Sequence, residues 1–220
     1  MKYLVAILFL ILFASCAFER KLTTEIKSSI TNRFEIDNGI ENLINIDGYY
    51  KFQYPLDLTD GFGYGDLYVD EFSNSNVLFF KDGTYTESIT FKNGVTKEDI
   101  SKDFQASLFK GIGNWGIYNI HNDTLIVQKI RRPSTQDRWN ITETTIKVID
   151  RNTLKILYVK YLYTELDIET NKIFYSDVGL GNFFPANNLP GSDNWLKKEK
   201  WLWKDPAEWE LYMEGVKKKK

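Results

Sequence analysis

The sequence predicts a mostly β protein, an antiparallel meander closing into a barrel of about eight strands, with a short inserted helix and a C-terminal amphipathic helix. Three observations carry that expectation. Between Gly113 and Leu162, runs of β-branched and aromatic residues alternate with short polar turns. Lys81-Asp82-Gly83-Thr84 sits between two apolar runs, and Asp-Gly in that setting is a strong hairpin signal. Hydrophobic residues make up 43% of the 220 and aromatics 15%, too many for a disordered chain and enough for a core without metal or disulfides.

Taken in order, Asp47-Gly48 opens a strand over Tyr49–Tyr54, which Pro55 ends by removing a ladder donor. Asp60-Gly61-Phe62-Gly63-Tyr64-Gly65-Asp66 is a glycine-aromatic loop without the lysine and hydroxyl of a phosphate loop. Val77–Phe80 and Tyr85–Phe91 form the hairpin, and Asn93-Gly94 is a second turn. The period then switches: Thr96 and Asp99 resemble a capping box, and Ile100, Phe104 and Leu108 recur every four residues, predicting the inserted helix within 96–110. Strands follow at Trp115–Ile120, Leu125–Ile130, Trp139–Ile149 and Leu154–Leu162, with one more at Lys172–Tyr175. Near the C-terminus, Asp205-Pro206-Ala207-Glu208 starts a helix, and Trp209, Tyr212, Met213 and Val216 share one face.

The N-terminus reads as an export signal. Met1-Lys2 supplies a positive charge and Tyr3–Ala14 is an apolar run, too short for the ~20 residues of a spanning helix. Cys16 is the one cysteine of the chain and follows small residues at the cleavage point. The expected organisation is therefore 1–15 signal peptide, 16–45 tether, 46–180 barrel and 181–220 Trp-rich extension with its helix. A net charge of −2 gives no basic face for nucleic acid.

Phe13-Ala14-Ser15-Cys16 resembles a bacterial lipobox, whose cysteine becomes the acylated first residue of the mature protein. Leu78-Phe79-Phe80-Lys81-Asp82-Gly83-Thr84-Tyr85, Gly113-Asn114-Trp115 with Asn122-Asp123-Thr124-Leu125-Ile126-Val127, and Trp139-Asn140-Ile141 with Asn152-Thr153-Leu154-Lys155-Ile156 together resemble the lipocalin-like lipoproteins of Bacteroidetes. The likeness spans about Gly48 to Leu162, leaving outside it a long loop over 55–76, the insertion at 96–110 and the C-terminus. It implies a lipid anchor at Cys16 on the outer membrane and a lipocalin-like barrel whose interior takes side chains or one small molecule. Glu19-Arg20-Lys21 after Cys16 is not the acidic cluster of lipoproteins sent to the outer face, which points the domain toward the periplasm.

Catalysis finds little support in residue types. His121 is the one histidine and falls in a turn, and no His/Cys cluster exists for zinc. Asp57, Asp60, Asp66, Asp70 and Glu71 are dense enough for a carboxylate hydrolase, but they match no calcium-loop spacing. The expected function is a non-enzymatic, membrane-anchored binding protein for a small apolar or amphipathic ligand, with no cofactor and no metal. The alternative is an envelope interaction protein that meets a glycan or partner protein through its aromatic loops and Trp-rich end. Trp115, Tyr118, Trp139, Trp195 and Trp201 are the aromatic candidates for ligand contact.

Overall fold

The computed structural model describes residues 23–55, 72–91, 115–131, 139–164, 170–187 and 189–218. Eight strands run in order: β1 Gly48–Pro55, β2 Phe72–Phe79, β3 Thr84–Phe91, β4 Trp115–His121, β5 Thr124–Arg131, β6 Asn140–Asp150, β7 Thr153–Thr164 and β8 Ile173–Pro185. Each pairs antiparallel with the next, and β8 returns to β1 from Gly48↔Pro185 to Phe52↔Gly181, closing an up-and-down barrel. Closure gives every strand two neighbours and removes sheet edges.

The tight turns gather at one end. Gly83 adopts φ 81° in the β2–β3 turn, and Asn122 adopts φ 56° between β4 and β5. These are left-handed conformations that glycine and asparagine tolerate best. That end is closed by a 3₁₀ turn, Ile40–Asn42, whose Ile40 is fully buried together with Ile44. Asn38 N–H donates to Lys81 O at 2.9 Å and Asn45 N–H to Arg151 O at 3.2 Å, so the plug is tied to two different turns. Inside, Tyr50, Phe79, Tyr118, Leu125, Val148 and Leu154 form one apolar cluster with it.

The barrel also carries a coat. Helix α1, Thr24–Ser29, is capped by Thr23, whose hydroxyl accepts from Ile26 N–H at 3.3 Å. Ile26, Ile30 and Phe34 lie against the outer wall with Trp115, Ile117, Ile130, Trp139 and Ile141, and so do Leu196, Leu202 and Trp203 from the other end of the chain. The two terminal segments even pair with each other. Phe34 and Trp203 form a parallel bridge, with Phe34 N–H donating to Leu202 O at 2.8 Å and Lys204 N–H to Phe34 O at 3.0 Å. Helix α2, Pro206–Lys218, starts where Asp205 accepts from Ala207 N–H at 2.8 Å, and it packs Trp209 and Tyr212 onto this coat.

Three expectations need correction. The stretch 23–45, read as part of a tether, is structure: Ile26, Phe34, Ile40 and Ile44 are all at 0% exposure. Its apolar residues are spread too irregularly to announce the packing they find. The last strand is not confined to Lys172–Tyr175 but runs to Pro185, and β2 begins at Phe72 rather than Val77. The inserted helix at 96–110, the Asp60–Asp66 loop, the Asn93-Gly94 turn and Cys16 lie outside the described residues.

Candidate functional site

Period-two alternation decides what points inward. On β3, Tyr85 and Glu87 share the face of Phe79 and Val77, their neighbours across the ladder. On β5, Lys129 follows Leu125 and Val127 on the core side. The register then joins these positions around half the barrel as successive Cα partners: Tyr85↔Gly116↔Lys129↔Thr142↔Tyr161. The row lies beyond the aromatic floor, toward the end opposite the tight turns.

Its chemistry is concentrated in three side chains. The Tyr85 hydroxyl donates to Glu87 Oε2 at 2.6 Å, and the Lys129 ammonium forms an ion pair with Glu87 Oε1. The Glu87 side chain is 10% exposed and that of Lys129 23%. An unpaired charge there would cost several kcal/mol, so the pairing is what allows both groups inside. Ser75, one ladder step from the Val77–Glu87 pair, is 2% exposed, and its hydroxyl finds no hydrogen-bond partner among the described residues.

The character of the inward side chains changes in the same direction. The floor is aromatic: Phe79 meets Tyr118 edge-on at 5.3 Å, Tyr85 at 5.5 Å and Tyr50 at 6.1 Å, and Tyr50 meets Phe183 at 5.4 Å. Past it, the inward positions include Ser75, Gly116, Thr142, Thr144 and Gly179, which bring little or no side chain. At two glycines a neighbour stands where the Cβ would be: Gln128 O lies 2.6 Å from that point at Gly116, and the Phe52 ring 2.5 Å from it at Gly181.

The floor tyrosines are held in their neutral form. Burial pushes the Tyr118 phenol well above its ordinary value, and its hydroxyl donates to Phe80 O at 2.6 Å. Tyr50 is pushed up to about 12, again by burial, against the opposing effect of the hydrogen bond from Asn45 N–H. Both act as neutral donors, and the Tyr50 hydroxyl donates to Arg151 O at 2.6 Å, fastening β1 to the β6–β7 turn.

The five aromatic candidates from the sequence do not come together. Tyr118 belongs to the interior floor, whereas Trp115, Trp139, Trp195 and Trp201 belong to the coat on the outer wall. Trp139 packs on Trp195 with ring centroids 6.2 Å apart, and Trp201 has Lys27 and Arg33 over its ring at 5.6 and 5.9 Å. His121 ends β4 in an exposed position. The carboxylates Asp57, Asp60, Asp66, Asp70 and Glu71 lie outside the described residues, among which no group of three or more His, Cys, Asp or Glu is placed to hold a metal.

Glu87, Lys129 and Ser75 are not among the candidates that the sequence singles out. A signal was there. In Thr84-Tyr85-Thr86-Glu87 the glutamate shares parity with an inward tyrosine, and in Leu125-Ile126-Val127-Gln128-Lys129 the lysine shares parity with two core aliphatics. Charge on the core face of a strand marks a candidate site.

The fold and this interior together define a class: a small closed β-barrel, plugged at one end, with a buried polar belt past an aromatic floor. Comparison with family models, with curated proteins and with solved structures finds no match to the chain.

Proposed function

We propose that the chain is a lipid-anchored envelope protein of the lipocalin-like kind, whose barrel holds one small amphipathic molecule. The observation that carries the reading is the division of the interior. Aromatic rings fill the floor, and beyond it stand a buried ion pair, short side chains beside Tyr161, and a serine without a partner among the described residues. Interiors kept only for stability are packed to uniform density with apolar groups. A few convergent polar groups in an apolar lining are what a ligand site requires. An eight-stranded barrel is wide enough for one such molecule.

The anchor is argued from the lipobox-like Phe13-Ala14-Ser15-Cys16, with acylation of Cys16 holding the domain to the outer membrane on its periplasmic side. The glycan or protein platform at the Trp-rich end has no comparable support, since Trp203 is 6% exposed and Trp201 is covered by two cations.

Native mass spectrometry of the protein purified from its own envelope tests the ligand. The expected result is a non-covalent mass of a few hundred daltons that is lost on denaturation. Protein that arrives bare, and that binds nothing from an envelope lipid extract, sinks the ligand reading. For the anchor, labelled palmitate is expected in the wild-type chain and absent from Cys16→Ser.

A further inference from the structure

The geometry points to the head group of that ligand: we infer an acceptor-rich head, a carboxylate or a carbonyl, received inside the barrel by Lys129 and Ser75. This rests on the ligand-binding reading above and adds a chemical class to it.

A count of donors and acceptors carries the argument. Each oxygen of Glu87 already accepts a bond, Oε2 from Tyr85 and Oε1 from Lys129. An ammonium has three N–H donors, and among the described residues Lys129 spends one. The Ser75 hydroxyl, 2% exposed, has no partner among those residues either. Among the described residues Lys129 is thus left with two spare donors, beside a Ser75 hydroxyl that can donate or accept. A ligand bringing oxygen acceptors completes those bonds. One bringing an ammonium would set cation beside cation at Lys129 and leave the spare donors of that lysine unanswered.

The side chains flanking Lys129 on the ladder are short. Gly116, paired with Lys129 across the ladder, contributes no side chain, and Thr142 on the other side is short. A Cβ at Gly116 would stand 2.6 Å from Gln128 O, so the β5 backbone packs close against this glycine and no larger residue fits.

The test uses the full chain carrying Cys16→Ser, with three probes of equal tail: dodecanoate, methyl dodecanoate and dodecylammonium, titrated by calorimetry. Dodecanoate and the ester are expected to bind, and dodecylammonium at least about tenfold more weakly, the loss of one or more charged hydrogen bonds. Lys129→Met is expected to weaken dodecanoate by about tenfold or more. Glu87→Gln is expected to tighten dodecanoate, because the ammonium is no longer neutralised by its neighbour. If Lys129→Met does not fold by near-ultraviolet circular dichroism, the sign of the Glu87→Gln effect decides alone.

Binding of dodecanoate without the ester assigns a carboxylate head, and equal binding of both assigns a carbonyl. Dodecylammonium binding as tightly as dodecanoate, or dodecanoate unmoved by Glu87→Gln, overturns the head assignment and leaves the barrel a binder of something else. No binding of any probe, together with no co-purifying molecule, overturns both readings.

Discussion

The side chain of Gln128 is fully buried on the outer face of β5 and makes four hydrogen bonds. Its carbonyl accepts from Thr31 N–H and Asn32 N–H at 2.8 and 2.9 Å, and its amide donates to Thr31 Oγ1 and Glu143 Oε2. Asn32 answers in the other direction, donating to Ile117 O and Ile126 O. Gln128→Ala leaves the buried Asn32 N–H and the part-buried Thr31 N–H without their acceptor. The expected loss is about 2–4 kcal/mol of unfolding free energy, measured by urea titration. A loss below about 0.5 kcal/mol, the ordinary effect of a surface change, would mean the N-terminal segment is not pinned here. At Gly181 the opposite error is available, overfilling. Gly181→Ala presses a methyl into the Phe52 ring, itself at 0% exposure, and is expected to cost about 1–3 kcal/mol by the same measurement. An unchanged midpoint would show that the ring has somewhere to go. Neither residue is legible in the sequence, because both depend on what arrives from a distant segment.

Elements were legible in proportion to how locally they are determined. The β2–β3 hairpin follows from Asp82-Gly83 alone, and α2 from Asp205-Pro206 with one apolar face. β8 escaped notice over its second half, since Gly179 and Gly181 depress strand propensity and only pairing with β1 and β7 makes the run extended. The docking of the C-terminal segment escaped as well, although its fastening is a charged one. Lys197, 3% exposed, pairs with Asp82 of the hairpin turn and donates to Ser192 Oγ at 2.5 Å, while Ser192 donates to Asp82 at 2.9 Å. Asp82 also accepts from Thr84 N–H at 3.0 Å, so the turn and the C-terminal segment share one carboxylate. Removing one partner of a buried pair leaves the other charge stranded. Lys197→Met is expected to cost about 3–5 kcal/mol, toward the lower value because the Asp82 side chain keeps 18% exposure. Lys197→Met with Asp82→Asn is expected to recover part of that loss, since no charge then remains to strand. If the double variant is as unstable as the sum of the singles, the two side chains act independently and the latch is an accident of proximity.

For the molecule as a whole, the buried phenols set an alkaline limit that no single element determines. Tyr50 at the barrel floor and Tyr212 on the coat are each pushed from 10.0 to about 12, chiefly by burial, and Tyr118 is raised further still. A phenol whose folded value lies above its unfolded one favours the folded state while both forms are neutral. That contribution is fully present below about pH 10 and is lost as pH rises toward 12, because the unfolded chain releases protons that the folded chain retains. For Tyr50, at 1% exposure, a shift of this size corresponds to roughly 2–3 kcal/mol. Urea midpoints are therefore expected to hold to about pH 10 and fall steeply from there to 12. Absorbance at 295 nm should rise in two stages, exposed tyrosines first and buried ones together with the loss of β-sheet circular dichroism. Tyr50→Phe removes one titrating group and should flatten the decline, at the cost of the hydrogen bond to Arg151 O at neutral pH. Thirteen tyrosines all ionising near pH 10 with the β-sheet signal intact would mean that the barrel floor admits water, and the division of the interior on which the ligand reading stands would fail with it.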